Sequence, residues 1–142
     1  MTKINIDKQL IERKIKLIEK HVGRLKELKE LSAGKLALDK NFDVAAWNLR
    51  CALESTLDIG SHILSRIPGV SFDSYKEIAL KLGECKIVPM DFAEKELQEM
   101  ARYRNRLTHF YFEVKPKEMH KIIQNDLGDF EIFLKHIKKL LR

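Results

Sequence analysis

Apolar residues recur every three or four positions through most of the chain, the spacing that places them on one face of an α-helix. The first such pattern runs from residue 5 to about residue 31 and predicts a long amphipathic helix, either on the surface of the fold or as a short coiled-coil seam. Gly34 follows it and suits a helix C-terminus. Its apolar stripe comprises Ile11, Ile15, Ile18, Val22 and Leu25, widened by Leu10, Leu17, Leu28 and Leu31.

A second helical pattern extends over about residues 43–65, after a short connection at residues 36–41. The Pro-Gly pair at residues 68–69 ends it. Small residues along this pattern, Gly60 among them, predict that another helix approaches it closely. We expect Trp47 to be an anchor in the core or in an interface, because its indole is large and mostly apolar.

Two capping boxes follow. Ser74 to Glu77 has the spacing in which the serine and the glutamate cap each other's backbone N–H groups. It predicts a short helix that Gly83 closes. The second box, Asp91 to Glu94, predicts a helix that continues to about residue 108.

The final pattern begins at Pro116, which suits the first position of a helix, and extends to about Leu141 with Gly128 as a weak point. No segment alternates in the way typical of a β-strand. The sequence therefore predicts an all-α fold, an up-down four-helix bundle with an additional short helix, in a single domain of residues 1–142.

A cluster of polar side chains lies between the last two predicted helices: Arg104, Asn105, His109 and Tyr111. Residues after position 108 are aromatic or β-branched, so helix propensity falls there and the cluster should straddle a helix end. In an unbroken helix Arg104 and His109 would lie about 140° apart around the axis. Either the helix unwinds near His109, or a two-fold dimer brings clusters from two chains together.

The composition agrees with a globular protein, with 44% hydrophobic and 34% charged residues, and the net charge is +6. This charge permits an anionic partner such as RNA, and it equally suits a solvated surface with a surplus of lysine. Cys51 and Cys85 stand apart without a CxxC pair, which argues against a disulfide framework and a zinc site. No apolar run is long enough for a membrane span and no secretory signal is evident, so we expect a cytoplasmic protein.

The string Arg104-Asn105 followed by His109 and Tyr111 resembles the signature of HepT-like toxins, a family in the HEPN superfamily of small helical ribonucleases. The segments at residues 57–62 and 75–78 resemble the same family in their order along the chain. The resemblance implies a HEPN-like fold and a homodimer with a composite cleft at its interface. It also implies a toxin–antitoxin pair in which a minimal nucleotidyltransferase antitoxin AMPylates Tyr111.

These residue types match metal-independent RNA cleavage, for which no cofactor is expected. His109 would be the general base on the ribose 2′-hydroxyl or the acid on the leaving oxygen. Arg104 would bind the scissile phosphate and stabilise the charge of the transition state, and Asn105 would orient His109 or hold a phosphate oxygen. Arg102 and Arg106 are candidate RNA-binding residues through the phosphate backbone.

Asp58 and His62 are four residues apart and could touch on one helix face. We interpret them either as a structural hydrogen-bonded pair or, with Ser61, as support for the cleft. Tyr111 has two interpretations as well, a modification site or a buried aromatic residue with its hydroxyl hydrogen-bonded.

Two other functions stay open. A non-catalytic helical module could use the same surface to bind a nucleotidyltransferase partner or a nucleotide. A purely structural dimer could form on the apolar stripe of the first helix, although such a seam needs none of the four polar residues of the cluster. Metal catalysis is disfavoured because no H-E-x-x-H or H-x-x-E-H pattern occurs and no carboxylate pair flanks the cluster.

Overall fold

The computed structural model describes residues 4–142, and every regular element in that range is helical, which confirms the all-α prediction. None of the helices there combines the length and apolar character needed to cross a membrane. The α-helices are α1 (Lys8–Glu27), α2 (Ala33–Leu36), α3 (Asp39–Ser65), α4 (Tyr75–Glu84), α5 (Met90–Phe92), α6 (Gln98–His109), α7 (Pro116–Asn125) and α8 (Gly128–Leu140), with 3₁₀ turns at Leu28–Glu30 and Tyr111–Glu113 and a π-helical segment at Ala93–Leu97.

Helices α1 and α3 pack antiparallel along most of their length. The backbone N–H of Asp7, at the start of α1, donates to His62 Nε2 near the end of α3 at 2.9 Å. Further along α1, His21 Nδ1 and Asn48 Oδ1 form a buried hydrogen bond of 2.8 Å. The apolar stripe of α1 is buried inside the chain by this packing, so it is not available as a seam between two chains.

Helix α3 is the centre of the core and also contacts α4, α6 and α7. Trp47 does not join this core, although it lies on α3. Its side chain is 57% exposed, so the prediction of a core anchor is wrong and the interface alternative stays a prediction.

Several predicted helix boundaries are wrong. Helix α1 passes into a 3₁₀ turn after Glu27, and Gly34 lies inside α2 instead of ending α1. Ser32 begins α2 by accepting a hydrogen bond from the N–H of Lys35 at 3.2 Å. Helix α3 then begins at Asp39, four residues before the predicted start.

The two predicted capping boxes have different outcomes. Ser74 Oγ accepts from the N–H of Glu77 at 3.2 Å, and the Glu77 carboxylate accepts from the N–H of Asp73 at 2.5 Å, so the first cap is confirmed with a one-residue shift. The second is wrong, because the N-cap of α5 is Pro89, two residues before Asp91. Asp91 already lies in the first turn of that helix.

The single final helix predicted over residues 116–141 is in fact two. Helix α7 ends at Asn125, where the Asp126 N–H still donates to Ile122 O at 2.8 Å, and α8 begins at Gly128. The break falls at the predicted weak point. Four long helical segments remain, namely α1, α3, the α5–α6 segment and the α7–α8 segment, with α4 as the additional short helix.

Candidate active site

The polar cluster lies where α6 ends. The N–H of Phe110 donates to Arg106 O at 2.8 Å, but the φ and ψ of Phe110, −134° and 41°, leave the helical region. His109 is therefore the last helical residue and is exposed to solvent. This confirms the prediction that the cluster straddles a helix end.

The Arg104 guanidinium is held on three sides. Its Nη2 lies 3.4 Å from Glu54 Oε1 on α3, and its Nη1 donates to Asn105 Oδ1 at 3.3 Å. The aromatic ring of Tyr75, the first residue of α4, stacks below it, 4.2 Å from the ring centroid to Cζ. These contacts fix the fork of donors that phosphate recognition needs.

Two buried polar atoms at this position have no hydrogen-bond partner within residues 4–142, Arg104 Nε and Thr108 Oγ1. They lie one helical turn apart on the same side of α6. Unsatisfied buried donors are uncommon in folded proteins and often mark functional positions.

Arg104 and His109 do not converge within one chain. Because α6 stays helical through His109, the two residues keep the separation of about 140° that five helical steps impose. The helix unwinds only after His109, so unwinding does not bring the imidazole to the guanidinium. The alternative, a two-fold dimer that brings clusters from two chains together, stays a prediction.

Tyr111 is tied to α3. Its hydroxyl donates to Asp43 Oδ1 at 2.6 Å, and its ring packs against Phe42 with centroids 5.8 Å apart. Burial raises the pKa of Tyr111, and the Asp43 carboxylate raises it further, to about 12. The side chain is 40% exposed, so the hydroxyl is bonded as one interpretation expected, but the ring is accessible.

The two arginines predicted to bind RNA form ion pairs within the fold. Both Arg106 Nη atoms donate to the Glu118 carboxylate of α7, and Arg102 pairs with Glu99. The Cζ atoms of Arg102 and Arg106 lie 5.1 and 5.2 Å from the centroid of the Tyr103 ring. Arg106 thus joins α6 to α7, whereas Arg102 lies more exposed on the helix surface.

Glu118 is the hub of this junction. Besides binding Arg106, it accepts a hydrogen bond of 2.5 Å from the Tyr103 hydroxyl. Hydrogen bonding to Arg106 lowers the pKa of Glu118. Burial, followed by the hydrogen bond to Glu118, raises the pKa of Tyr103 to about 12. These shifts show a carboxylate that stays ionised and a phenol that stays protonated at neutral pH.

Asp58 and His62 bind partners on the α1 side instead of each other. Asp58 Oδ2 forms an ion pair with Lys14 at 3.0 Å, and His62 accepts from the Asp7 N–H. Burial, with Arg66 nearby, lowers the pKa of His62. Ser61 is half-buried between them. Asp58 and His62 therefore connect α3 to the N-terminal part of α1. The prediction that they form a hydrogen-bonded pair with each other is wrong.

Three residues that contact the cluster are not predicted from the sequence as parts of the site: Asp43, Glu54 and Tyr75. Asp43 and Glu54 are far from residues 104–111 in sequence, and only the packing of α3 against α6 brings them near. Tyr75 did carry a signal, because it opens one of the segments by which the chain resembles the HepT-like family.

Comparison with known proteins identifies the family. The family model described as "Ribonuclease HepT-like" matches residues 11–137. The tRNA nuclease HepT of Aphanizomenon flos-aquae (strain 2012/KM1/D3) is 26% identical over 139 residues, covering 96% of this chain and 93% of that protein.

Solved structures show the same fold. A tri-AMPylated HEPN toxin of Shewanella oneidensis, in complex with its MNT antitoxin, superposes with a TM-score of 0.83 at 23% identity, covering 94% of this chain and 99% of that one. The protein YutE of Bacillus subtilis, described as a cytosolic protein of unknown function, gives 0.82 at 20% identity, covering 97% and 92%. The family model spans nearly the whole chain, and the chain belongs to the HepT-like ribonuclease family.

Proposed function

We propose that this protein is a metal-independent endoribonuclease that acts on tRNA and serves as the toxin of a toxin–antitoxin pair. The observation that carries the proposal is the end of α6. There a braced Arg104 is followed, five residues later, by an exposed His109 at the last helical position. A fixed anion-binding fork and an accessible titratable imidazole are the groups that phosphodiester cleavage needs. The tRNA nuclease named among the relatives supports tRNA as the first substrate to test.

In the proposed reaction the ribose 2′-oxygen attacks the neighbouring phosphorus. His109 takes the 2′-hydroxyl proton while water protonates the departing 5′-oxygen, or in the other role His109 protonates that oxygen while water takes the 2′-hydroxyl proton. Arg104 binds the non-bridging oxygens and stabilises the added negative charge of the transition state. Asn105, through its bond to Arg104, keeps the guanidinium in place. The products carry a 2′,3′-cyclic phosphate and a 5′-hydroxyl, and DNA, which lacks the nucleophile, is not cleaved.

We propose a homodimer as the active form, because the separation of Arg104 and His109 around α6 leaves each chain with an incomplete site. Of the predicted RNA-binding residues, Arg102 is the better candidate, since its side chain is 46% exposed and Arg106 is 19% exposed. Asp58, Ser61 and His62 would support the cleft only indirectly, by fixing α3 to α1.

We propose a minimal nucleotidyltransferase as the antitoxin and Tyr111 as the residue that it AMPylates. The structural neighbour solved with an MNT antitoxin is itself AMPylated, which supports this partner and this modification. Tyr111 is two residues from His109 and partly exposed. An adenylate on its oxygen would add bulk and negative charge beside the imidazole, and both oppose RNA binding. The cytoplasm, where such a partner and tRNA occur, is the proposed location.

The deciding experiment is cleavage of end-labelled tRNA by the purified protein in EDTA. We expect the wild type to cleave and to leave cyclic phosphate ends. His109→Ala should lower the rate by about 10²- to 10⁴-fold, the usual contribution of a general acid or base. His136→Ala, on α8 and away from α6, is the matched control and should retain wild-type activity.

Cleavage that survives in His109→Ala would overturn the mechanism. If neither protein cleaves, and mass spectrometry shows that Tyr111 carries no adenylate, the chain is the non-catalytic binding module. Circular dichroism should be the same for all variants, because His109 is exposed and removing its ring leaves the core intact.

A further inference from the structure

Tyr75 contacts Arg104 in a different way from the two polar neighbours of that arginine. Glu54 and Asn105 meet its Nη atoms at 3.4 and 3.3 Å, so each of them occupies donors of the guanidinium. The Tyr75 ring instead lies across the face of the cation, with its centroid 4.2 Å from Cζ. A ring attracts the charge of the whole guanidinium, so it holds the group without pairing any one N–H.

The position of the ring is set by the packing of α4. Tyr75 is the first residue of that helix. Ile78 and Leu82 follow it at spacings of three and four, so the three side chains lie on one helix face. Both of these apolar residues pack against Gly60 of α3, where an added Cβ would come within 2.9 and 2.8 Å of them. The face of α4 that carries the ring is therefore pressed closely onto α3.

The surroundings of Arg104 strengthen the contact with the ring. Its side chain is only 15% exposed, and a cation–π contact contributes more where the cation is shielded from water. The ion pair on the other side is divided, because Glu54 Oε1 also lies 3.4 Å from Arg50 Nε. Among the contacts of Arg104 with α3 and α4, the one with Tyr75 is thus not shared with a second cation of the described chain.

We propose that Tyr75 is a positioning residue for Arg104, whose ring sets the plane of the guanidinium so that its remaining Nη–H groups face the scissile phosphate. This inference rests on the proposed function. Two phosphate oxygens accept from two N–H groups together only when they lie near the plane of the fork. The Tyr75 hydroxyl forms no hydrogen bond within residues 4–142, so the ring alone carries this role.

The test is the steady-state kinetics of tRNA cleavage by variants at position 75. Tyr75→Leu removes the ring but keeps an apolar side chain, and we expect kcat to fall about tenfold. KM should change less than twofold, because the contact acts on the charge that develops in the transition state. Tyr75→Phe keeps the ring and should restore the wild-type kcat.

The matched control is Phe72→Leu, which also replaces an aromatic ring by leucine just before α4. Phe72 packs against the core and, within the described chain, has no cation–π contact with Arg104. This variant should keep the wild-type kcat. An equal loss of kcat in Phe72→Leu and Tyr75→Leu would overturn the inference, because it would show a general disturbance of this segment.

A double-mutant cycle with Arg104→Lys shows whether Tyr75 acts through Arg104. The lysine ammonium is a rotatable point charge that has no plane for a ring to set. In the Arg104→Lys chain, Tyr75→Leu should therefore slow cleavage less than twofold further. A further tenfold loss would show that the two residues act independently and would overturn the inference.

Nuclear magnetic resonance follows the contact itself, without RNA. Arg104 Nε is buried, which protects its proton from exchange with water and favours its detection. The ring current of Tyr75 displaces that resonance, so it should shift in Tyr75→Leu and keep its wild-type position in Tyr75→Phe. A resonance that is the same in Tyr75→Leu and in the wild type contradicts the stacking.

This inference and the nuclease proposal fail in different experiments. If the wild type cleaves tRNA and Tyr75→Leu does so at the same rate, Tyr75 has no positioning role and the nuclease proposal is intact. If the wild type, free of adenylate on Tyr111, cleaves no tRNA, the nuclease proposal and the positioning role are both removed.

Discussion

Tyr111 and Asp43 are 68 residues apart in sequence, yet a 2.6 Å hydrogen bond joins them. The bond attaches the turn after His109 to α3 and so limits where the imidazole can lie. It also directs the phenol oxygen, the proposed point of adenylate attachment, toward a carboxylate that can accept its proton. A modification at this oxygen would therefore break a tie to α3 as well as crowd the cleft.

Asp43→Asn should lower the pKa of Tyr111 from about 12 toward the ordinary value of about 10, because it removes a negative charge from the phenol oxygen. A phenol with a raised pKa stabilises the fold fully below about pH 10, and this contribution is lost as the pH rises toward 12. The variant should thus lose its Tyr111 contribution at a lower pH. Ultraviolet absorbance titration measures the ionisation directly.

Tyr103 is the internal control for that titration. Its pKa is also about 12, but its partner is Glu118, so Asp43→Asn should leave its ionisation in place. Burial of Tyr111 remains in the variant, so the pKa of Tyr111 should fall only part of the way, and a titration curve identical to that of the wild type would contradict the contribution of Asp43.

At the scale of single residues, the sequence predicts which groups are available but not what they bind. The spacing of Arg104, Asn105 and His109 is visible in the sequence, as is the fall in helix propensity after them. Arg106 could not be distinguished from Arg104 in this way. One binds Glu118 and the other Glu54, and both partners are set by how α7 and α3 pack against α6.

Between elements, α4 approaches α3 closely at Gly60. A Cβ added to Gly60 would lie 2.8 Å from Leu82 Cδ1 and 2.9 Å from Ile78 Cγ2, closer than van der Waals contact allows. This confirms the prediction that small residues on this helix admit a neighbour. Because α4 also carries Tyr75, the contact positions the ring that stacks on Arg104.

Gly60→Ala should therefore lower the free energy of unfolding by about 1–3 kcal/mol through overpacking. The matched control is Gly23→Ala in α1, where the added Cβ meets no atom within 4 Å. There the alanine should raise stability by about 0.5–1 kcal/mol through helix propensity. Urea denaturation followed by circular dichroism compares the two, and equal effects would contradict the close packing of α3 and α4.

The elements that the sequence misplaces share a physical cause. A cap depends on a few local hydrogen bonds. The cap at Ser74 is therefore predicted correctly, whereas Asp91 does not cap a helix because Pro89 is the N-cap of α5. The π-helical segment over Ala93–Leu97 has no pattern of its own, since one extra residue per turn changes the register of α6 without changing its composition. The break after Asn125 was visible only as a weak point at Gly128.

At the scale of the whole molecule, the open question is whether a site belongs to one chain or to two. Helix α6 separates Arg104 from His109, and the proposed homodimer would bring them together across its two-fold axis. Under that pairing, Arg104→Ala and His109→Ala chains complement each other. A mixed dimer contains one site with both residues intact and one site with neither.

We therefore expect an equal mixture of Arg104→Ala and His109→Ala chains, allowed to exchange subunits, to regain about a quarter of the wild-type rate of tRNA cleavage. Half of the dimers are then mixed, and half of their sites are complete. Each variant alone should be inactive. If both residues of a site came from one chain, every site in the mixture would lack one of them and no activity would return.

An equal mixture of wild-type chains and Arg104→Ala/His109→Ala chains distinguishes the same two arrangements. Here the measured quantity is the activity that the wild-type chains lose. With shared sites, only the wild-type dimers are active and about a quarter of the activity remains, because each site of a mixed dimer lacks one residue. With sites confined to one chain, mixed dimers keep one working site and about half remains. The comparison holds only when the subunits have exchanged completely, because without exchange shared sites would also leave the first mixture near zero and the second near half, the result expected for sites confined to one chain.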